Sequence, residues 1–229
     1  MRSIGNGMEL LREGERTDHF HVITAGWACR YKTTRDGARQ IVALLIPGDA
    51  ANLDSFLFGR LDYGVRALTA AKVATIPRDR ILELADQHAG IARTLAWAAM
   101  VENAVLGQWA LCLGRQSARE RLAHLICEIS VRLGEAGSDA SFELPLTQEQ
   151  IADMLGLTSV HVNRTIQQLR AEGLIDSRSR TMTIIDFEAL RRAGEFDPAY
   201  LHLDHDPADA GGDRAYRASK ATTLVAEPL

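Results

Sequence analysis

The chain has 229 residues, 46% apolar and 24% charged, enough for one large domain or two modest ones with real cores. No apolar run reaches the roughly 18 residues of a membrane helix, and Met1-Arg2-Ser3-Ile4-Gly5-Asn6-Gly7 has no export-type apolar stretch, so a cytoplasmic setting without membrane partners is expected. A net charge of −4 excludes coating of nucleic acid by bulk positive charge, though not reading of DNA with one basic face.

Glycine recurs at nearly even spacing at Gly14, Gly26, Gly37 and Gly48, with β-prone stretches such as Phe20-His21-Val22-Ile23 and Gln40 to Ile46 between, a pattern of short strands and regular turns. Asp36-Gly37 predicts a tight turn between Cys29-Arg30-Tyr31-Lys32 and a strand from Arg39. Val65-Arg66-Ala67-Leu68 and Val73-Ala74-Thr75-Ile76 add two strands before Pro77. Residues 8–77 read as a β-roll or barrel, and 8–88 as a sensor domain once the helical pattern of Ile81, Leu82 and Leu84 is included.

Residues 89–114 form a long proline-free helix. Ile91, Ala98, Val105 and Cys112 recur at heptad spacing, with Leu95 and Trp109 in the complementary positions and Glu102 as an interruption. This is the spacing of a dimer seam, and equally of a helix packed on its own β-domain. Ser117-Ala118-Arg119-Glu120 is a capping box that starts a second helix with the apolar stripe Leu122, Leu125, Ile126, Ile129 and Leu133. The joint at Gly114-Arg115-Gln116 is the expected domain boundary and hinge.

Thr147-Gln148-Glu149-Gln150 is another capping box, opening a short helix with Ile151, Ala152 and Leu155 on one face. Gly156-Leu157 makes a turn, Thr158 caps a further helix, and Val162, Ile166 and Leu169 repeat along it to Gly173, which together is a helix-turn-helix. Leu174-Ile175-Asp176-Ser177 and Thr181 to Ile185 flank the basic loop Arg178-Ser179-Arg180 as a wing, and Asp186 can cap a last helix, so the DNA-binding domain spans 115–192. Residues 193–229 read as a tail, largely disordered after about 205, where Asp206 to Asp213 is small and polar.

Candidate DNA contacts are Thr147 and Gln148 on the first helix, Thr158, Ser159, Val160, His161, Asn163 and Arg164 on the second, and Arg178 and Arg180 on the wing. The planar fork of Arg164 can address guanine O6 and N7 together, while wing arginines suit phosphates. Any one of these alone reads as an ordinary solvated helix face; the helix, turn, helix and wing in succession carry the signal.

From about Leu10 to Ile185 the chain resembles the Crp/Fnr family of bacterial regulators. Leu11-Arg12-Glu13-Gly14-Glu15 is similar to the opening of the family's β-roll, Ile46-Pro47-Gly48-Asp49 to its glycine-acid turn, and Leu146 to Leu157 leading to Val162-Asn163-Arg164 to its helix-turn-helix. The resemblance implies an α+β fold with a cyclic-nucleotide-binding-like antiparallel β-roll, a long dimerisation helix and a winged helix-turn-helix. It also implies a homodimer joined through Ile91, Leu95, Ala98, Val105, Trp109 and Cys112, which binds double-stranded DNA at a two-fold symmetric operator and works with RNA polymerase. An unknown small-molecule effector would meet Gly48, Asp49 and Arg66, the alternative being constitutive DNA binding without one.

Departures narrow the expectation. Leu61-Asp62-Tyr63-Gly64 stands where cyclic-AMP-binding members carry an arginine and a small hydroxyl residue, leaving Arg66 as the nearby cation, which argues against cyclic AMP. The closely spaced N-terminal cysteines of the iron–sulfur branch are absent, so no cluster or other cofactor is expected; Cys29, Cys112 and Cys127 read as separate thiols, and nothing in the sequence supports a switch at Cys29 or Cys127. Val160 replaces the recognition-helix glutamate of many members, predicting a different half-site. Two other readings compete: a metal enzyme using His202, Asp204, His205 and Asp206 or Asp18-His19-Phe20-His21, which lacks a third placed ligand, and a signalling adaptor whose helix-turn-helix is structural. The expected protein is not an enzyme.

Overall fold

The computed structural model describes residues 1–204; the disordered tail expected after about 205 lies outside them. Strands β1 (Arg2–Ile4), β2 (Glu9–Leu11), β3 (His19–Ala25), β4 (Ala28–Thr33), β5 (Arg39–Leu45), β6 (Gly64–Ala67) and β7 (Ala71–Pro77) form two antiparallel sheets, ordered β1-β7-β3 and β2-β6-β4-β5. Side chains alternate across a strand, so Val65 and Ala67 enter the core with Leu10, Ile23, Leu45 and Val73 while Arg66 turns away. The roll begins at β1, ahead of residue 8, because Arg2-Ser3-Ile4 pairs with β7 through an alternation too short to read as a strand.

Six helices follow: α1 (Arg78–Gln87), α2 (Ala89–Arg115), α3 (Ala118–Arg132), α4 (Gln148–Leu155), α5 (Ser159–Ala171) and α6 (Phe187–Ala193). Strands β8 (Ser141–Glu143), β9 (Ile175–Arg178) and β10 (Thr181–Ile184) make the wing sheet, ordered β8-β10-β9. Among the described residues no helix is long and apolar enough to cross a membrane. The ordered fold runs past residue 193: Phe196 is buried against His124 of α3, and the Pro198–Leu201 turn, with Leu201 buried, packs on α2.

Within one chain the expected heptad seam is covered in part: Trp109 and Cys112 are buried, and Ile91, Leu95, Ala98 and Val105 remain half-buried. Trp109 and Cys112 are buried in the core shared with α3, Val105 packs against that core, and Leu95 and Ala98 lie on Phe20, Leu53 and Ile81 beneath the roll, with Ile91 half-buried one turn before them. Glu102 does not break a seam; it faces the roll and pairs with Arg30. The joint lies at Gln116, extended between α2 and the Ser117 cap, whereas Gly114 is still helical.

One apolar cluster unites the two domains. The outer face of the β4–β5 sheet gives Cys29, Ile41 and Leu44, and α3, α4 and α5 give Ile126, Met154 and Ile166. Its rim is polar: Arg39 pairs with Asp153 at 2.5 Å, Gln40 Nε2 donates to the Met154 carbonyl at 3.0 Å, and Arg132 reaches Asp49 at 2.7 Å. Beneath it Glu128 is fully buried, accepting from Trp109 Nε1 at 2.8 Å, Tyr200 Oη at 2.8 Å and Arg132 Nη1 at 3.4 Å. His124 extends the chain, contacting Tyr200 Oη through Nε2 at 3.0 Å and the Gly194 carbonyl through Nδ1 at 3.1 Å. A buried carboxylate persists when its oxygens are fully engaged, and here the engagement ties α2, α3 and the C-terminal turn together.

Candidate nucleic-acid interface

Helices α4 and α5 are set by their caps. Thr147 accepts from Gln150 N while Gln150 Oε1 accepts from Thr147 N, and Thr158 accepts from His161 N at 3.2 Å. Between them Gly156 adopts φ +62°, the left-handed conformation in which a side chain would be strained, and its N–H closes on Ala152 O. Val162, Thr165, Ile166 and Leu169 bury one face of α5. At its far end Arg119 of α3 clamps Glu172 at 2.5 Å, and that hydrogen bond holds the Glu172 carboxyl below its usual range.

The opposite face of α5 is left over by folding. Val160 is 81% exposed, and Asn163 and Arg164, one turn further, are exposed as well. Arg164 forms no ion pair with any described residue, so its guanidinium is uncommitted. Ser159 and His161 are half-buried at the flanks of this face, and Thr147 and Gln148 are exposed at the start of α4. The hydroxyls of Thr147 and Thr158 accept backbone bonds as caps but retain their hydrogens to donate. On the wing Arg180 is exposed, while Arg178 pairs with Asp176 at 2.8 Å with its own side chain 85% exposed. Such a solvated pair is worth little and exchanges readily for a phosphate.

Sequence reasoning passed over Gln167, exposed one turn beyond Arg164; its spacing from Val160 and Arg164 is the signal that places it on the same face. It accepts from Arg170 at 3.1 Å through Oε1 and keeps its amide hydrogens free. An apolar group, two amides and a guanidinium thus line one exposed helix face, the set of groups that addresses thymine methyl, adenine and guanine edges in a major groove.

The candidate effector residues do not converge. Gly48 serves the turn, with φ +103°. Asp49 accepts from Ile46 N at 2.8 Å and from Arg132. Arg66 lies on the outer side of the sheet, against the Tyr31 ring and 3.6 Å from Glu9. Asp62 pairs with Lys32 at the surface, so it does not guard the roll interior against a phosphate. That interior holds Arg30 instead, buried and bonded to Glu102 at 2.6 and 2.8 Å. Glu102, the one charged residue between Arg93 and Arg115, was the readable sign of this pair.

His19 is exposed and His21 buried on β3, and among the described residues no three His, Cys, Asp or Glu side chains gather as metal ligands. His205 and Asp206 of the other proposed cluster lie outside the described residues. All three cysteines are buried, and desolvation pushes the Cys29 and Cys127 thiols up to about 12 and raises Cys112. At pH 8 the native protein should show no reactive thiol toward dithionitrobenzoate, and all three after guanidinium unfolding; one rapid native equivalent would contradict the buried placement.

The cyclic nucleotide-binding domain model matches residues 1–88, and the Crp-like helix-turn-helix domain model matches residues 120–193. The transcriptional activator protein FnrL of Cereibacter sphaeroides is 31% identical over 85% of this chain and 80% of its own length. The nitrogen fixation regulation protein FixK of Rhizobium meliloti is 30% identical over 81% of this chain and 82% of its own. Among solved structures, FixK2 from Bradyrhizobium japonicum superposes with a TM-score of 0.78 at 26% identity, covering 84% of this chain and 95% of that one.

Proposed function

We propose, for a chain that belongs to the Crp/Fnr family of DNA-binding transcription regulators, that it acts as a homodimer placing two copies of the α5 face in successive major grooves. The observation that carries this reading is the exposed Val160, Asn163, Arg164 and Gln167 face beside a wing with two arginines. An adaptor with a structural helix-turn-helix accounts for a lone exposed arginine, but gives no reason for base-reading groups on one helix face beside a basic wing.

The dimer seam supported by exposure differs from the one read by apolarity. Ala96, Met100, Asn103, Gly107, Ala110 and Gly114 are all exposed or half-buried and follow one another at alternating steps of four and three, the repeat of a two-helix seam. Small residues allow close approach, and a polar Asn103 within the seam favours a single register. Two α2 helices paired there bring the recognition helices to a two-fold arrangement, with half-sites spaced about 34 Å apart on B-form DNA.

Selection of bound duplexes from a random pool should recover a palindromic site with half-sites about one helical turn apart, and the complex should contain two chains. Recovery of a single unpaired half-site bound by one chain would overturn the dimeric reading.

A further inference from the structure

The fold implies a cyclic nucleotide between the roll and the long helix, and the residues present there do not fit one. Arg30 sits at the β4 bulge with its side chain turned into the roll. Its Nε donates to Ala51 O at 2.9 Å, Nη2 to Ala50 O at 2.9 Å and Glu102 Oε1 at 2.8 Å, and Nη1 to Glu102 Oε2 at 2.6 Å. The Tyr63 ring lies against the guanidinium at 5.2 Å, and the Tyr63 hydroxyl donates to Asp54. A cyclic phosphate needs uncommitted donors. Here the buried guanidinium commits four of its five N–H groups, and the two carboxylates beside it, Glu102 and Asp54, repel an anion.

We propose that the Arg30–Glu102 ion pair stands in for the ligand: it locks the long helix onto the roll, so the protein holds its DNA-binding arrangement without a cyclic nucleotide. Arg30 is anchored at both ends, to the backbone after the Gly48 turn and to α2. A bidentate pair fixes rotation as well as distance. With Glu102 held inward, the neighbouring Met100 and Asn103 face outward, so the pair also orients the surface on which a second chain would pair. Arg30 and Glu102 are therefore positioning residues for DNA binding, and the proposal rests on the homodimeric reading given above.

The test measures two quantities in the full chain: affinity for the selected duplex, and hydrogen exchange of α2 amides between residues 98 and 106, which reports helix docking without DNA. The wild-type chain should show the same values with and without millimolar cyclic AMP. Glu102→Ala should weaken duplex binding roughly tenfold, within the range for residues coupled in one charged network, and speed exchange in α2 while leaving α3 unchanged. Acetate, entering the vacated carboxylate position, should reverse part of both changes relative to chloride at equal ionic strength, which a general loss of folding would not allow. Tighter duplex binding or slower α2 exchange of the wild-type chain with cyclic AMP would overturn the proposal, as would a Glu102→Ala chain that matches wild type. If no duplex were retained by any form, the regulator reading would fail, and the exchange measurement would still decide the role of the pair.

Discussion

Glu128→Ala should cost about 3–5 kcal/mol of stability, the loss typical when one partner of a buried charged network is removed. The carboxylate is fully buried and is the acceptor for the Trp109 indole, the Tyr200 hydroxyl and one Arg132 nitrogen, so its removal strands the indole N–H and takes one partner each from Tyr200, which keeps His124, and Arg132, which keeps Asp49. At about 2–4 °C per kcal/mol for a chain of this size, the melting temperature should fall by roughly 6–20 °C. Glu128→Gln is the discriminating control. It preserves the volume and one acceptor oxygen but places an amide hydrogen among donors, so a smaller drop is expected. Equal losses for both variants would mean that charge matters more than acceptor count. A drop of only a degree or two for Glu128→Ala would mean that water replaces the oxygens and that the network does not hold the domains together.

The order of elements was legible because each leaves a local signature. Capping boxes at Ser117 and Thr147 form as the sequence pattern requires, and Asp186 caps α6 by accepting from Ala189 N. Short pieces such as β1 and β8 carry too few alternating positions, and their pairing is decided by β7 and β10, distant in sequence. The dimer seam shows a different limit. Both Ile91 to Cys112 and Ala96 to Gly114 repeat at heptad spacing on one helix, and apolarity favours the first. In the fold the chain buries Trp109 and Cys112 of the first stripe and half-buries its other four residues, whereas the second stripe is exposed throughout. Which face a helix turns to its own domain depends on partners such as Phe20 and Leu122, whose proximity no periodicity reveals. On the effector side, Arg66 lies against Tyr31 and Asp62 pairs with Lys32 at the surface, while Arg30, some thirty residues earlier, points in, and adjacency in sequence reveals none of these orientations.

Arg164→Ala should relax sequence preference at one base pair in each half-site, leaving the rest of the recovered site unchanged. A bidentate arginine–guanine contact is worth about 1–3 kcal/mol, and a homodimer makes it twice, so affinity for the selected site should fall by roughly 2–6 kcal/mol. Non-specific binding rests on phosphates and should change little. Arg178→Ala provides the contrast. That side chain must first leave Asp176 to reach the backbone, so its removal should weaken all sequences alike by a modest factor and reduce the steepness of the salt dependence by about one for each phosphate no longer neutralised. The two variants thus separate reading from holding. If Arg164→Ala instead weakened every duplex equally and preserved the preference at each position, Arg164 would be a phosphate ligand, and base reading would pass to Val160, Asn163 and Gln167 on the same face of α5.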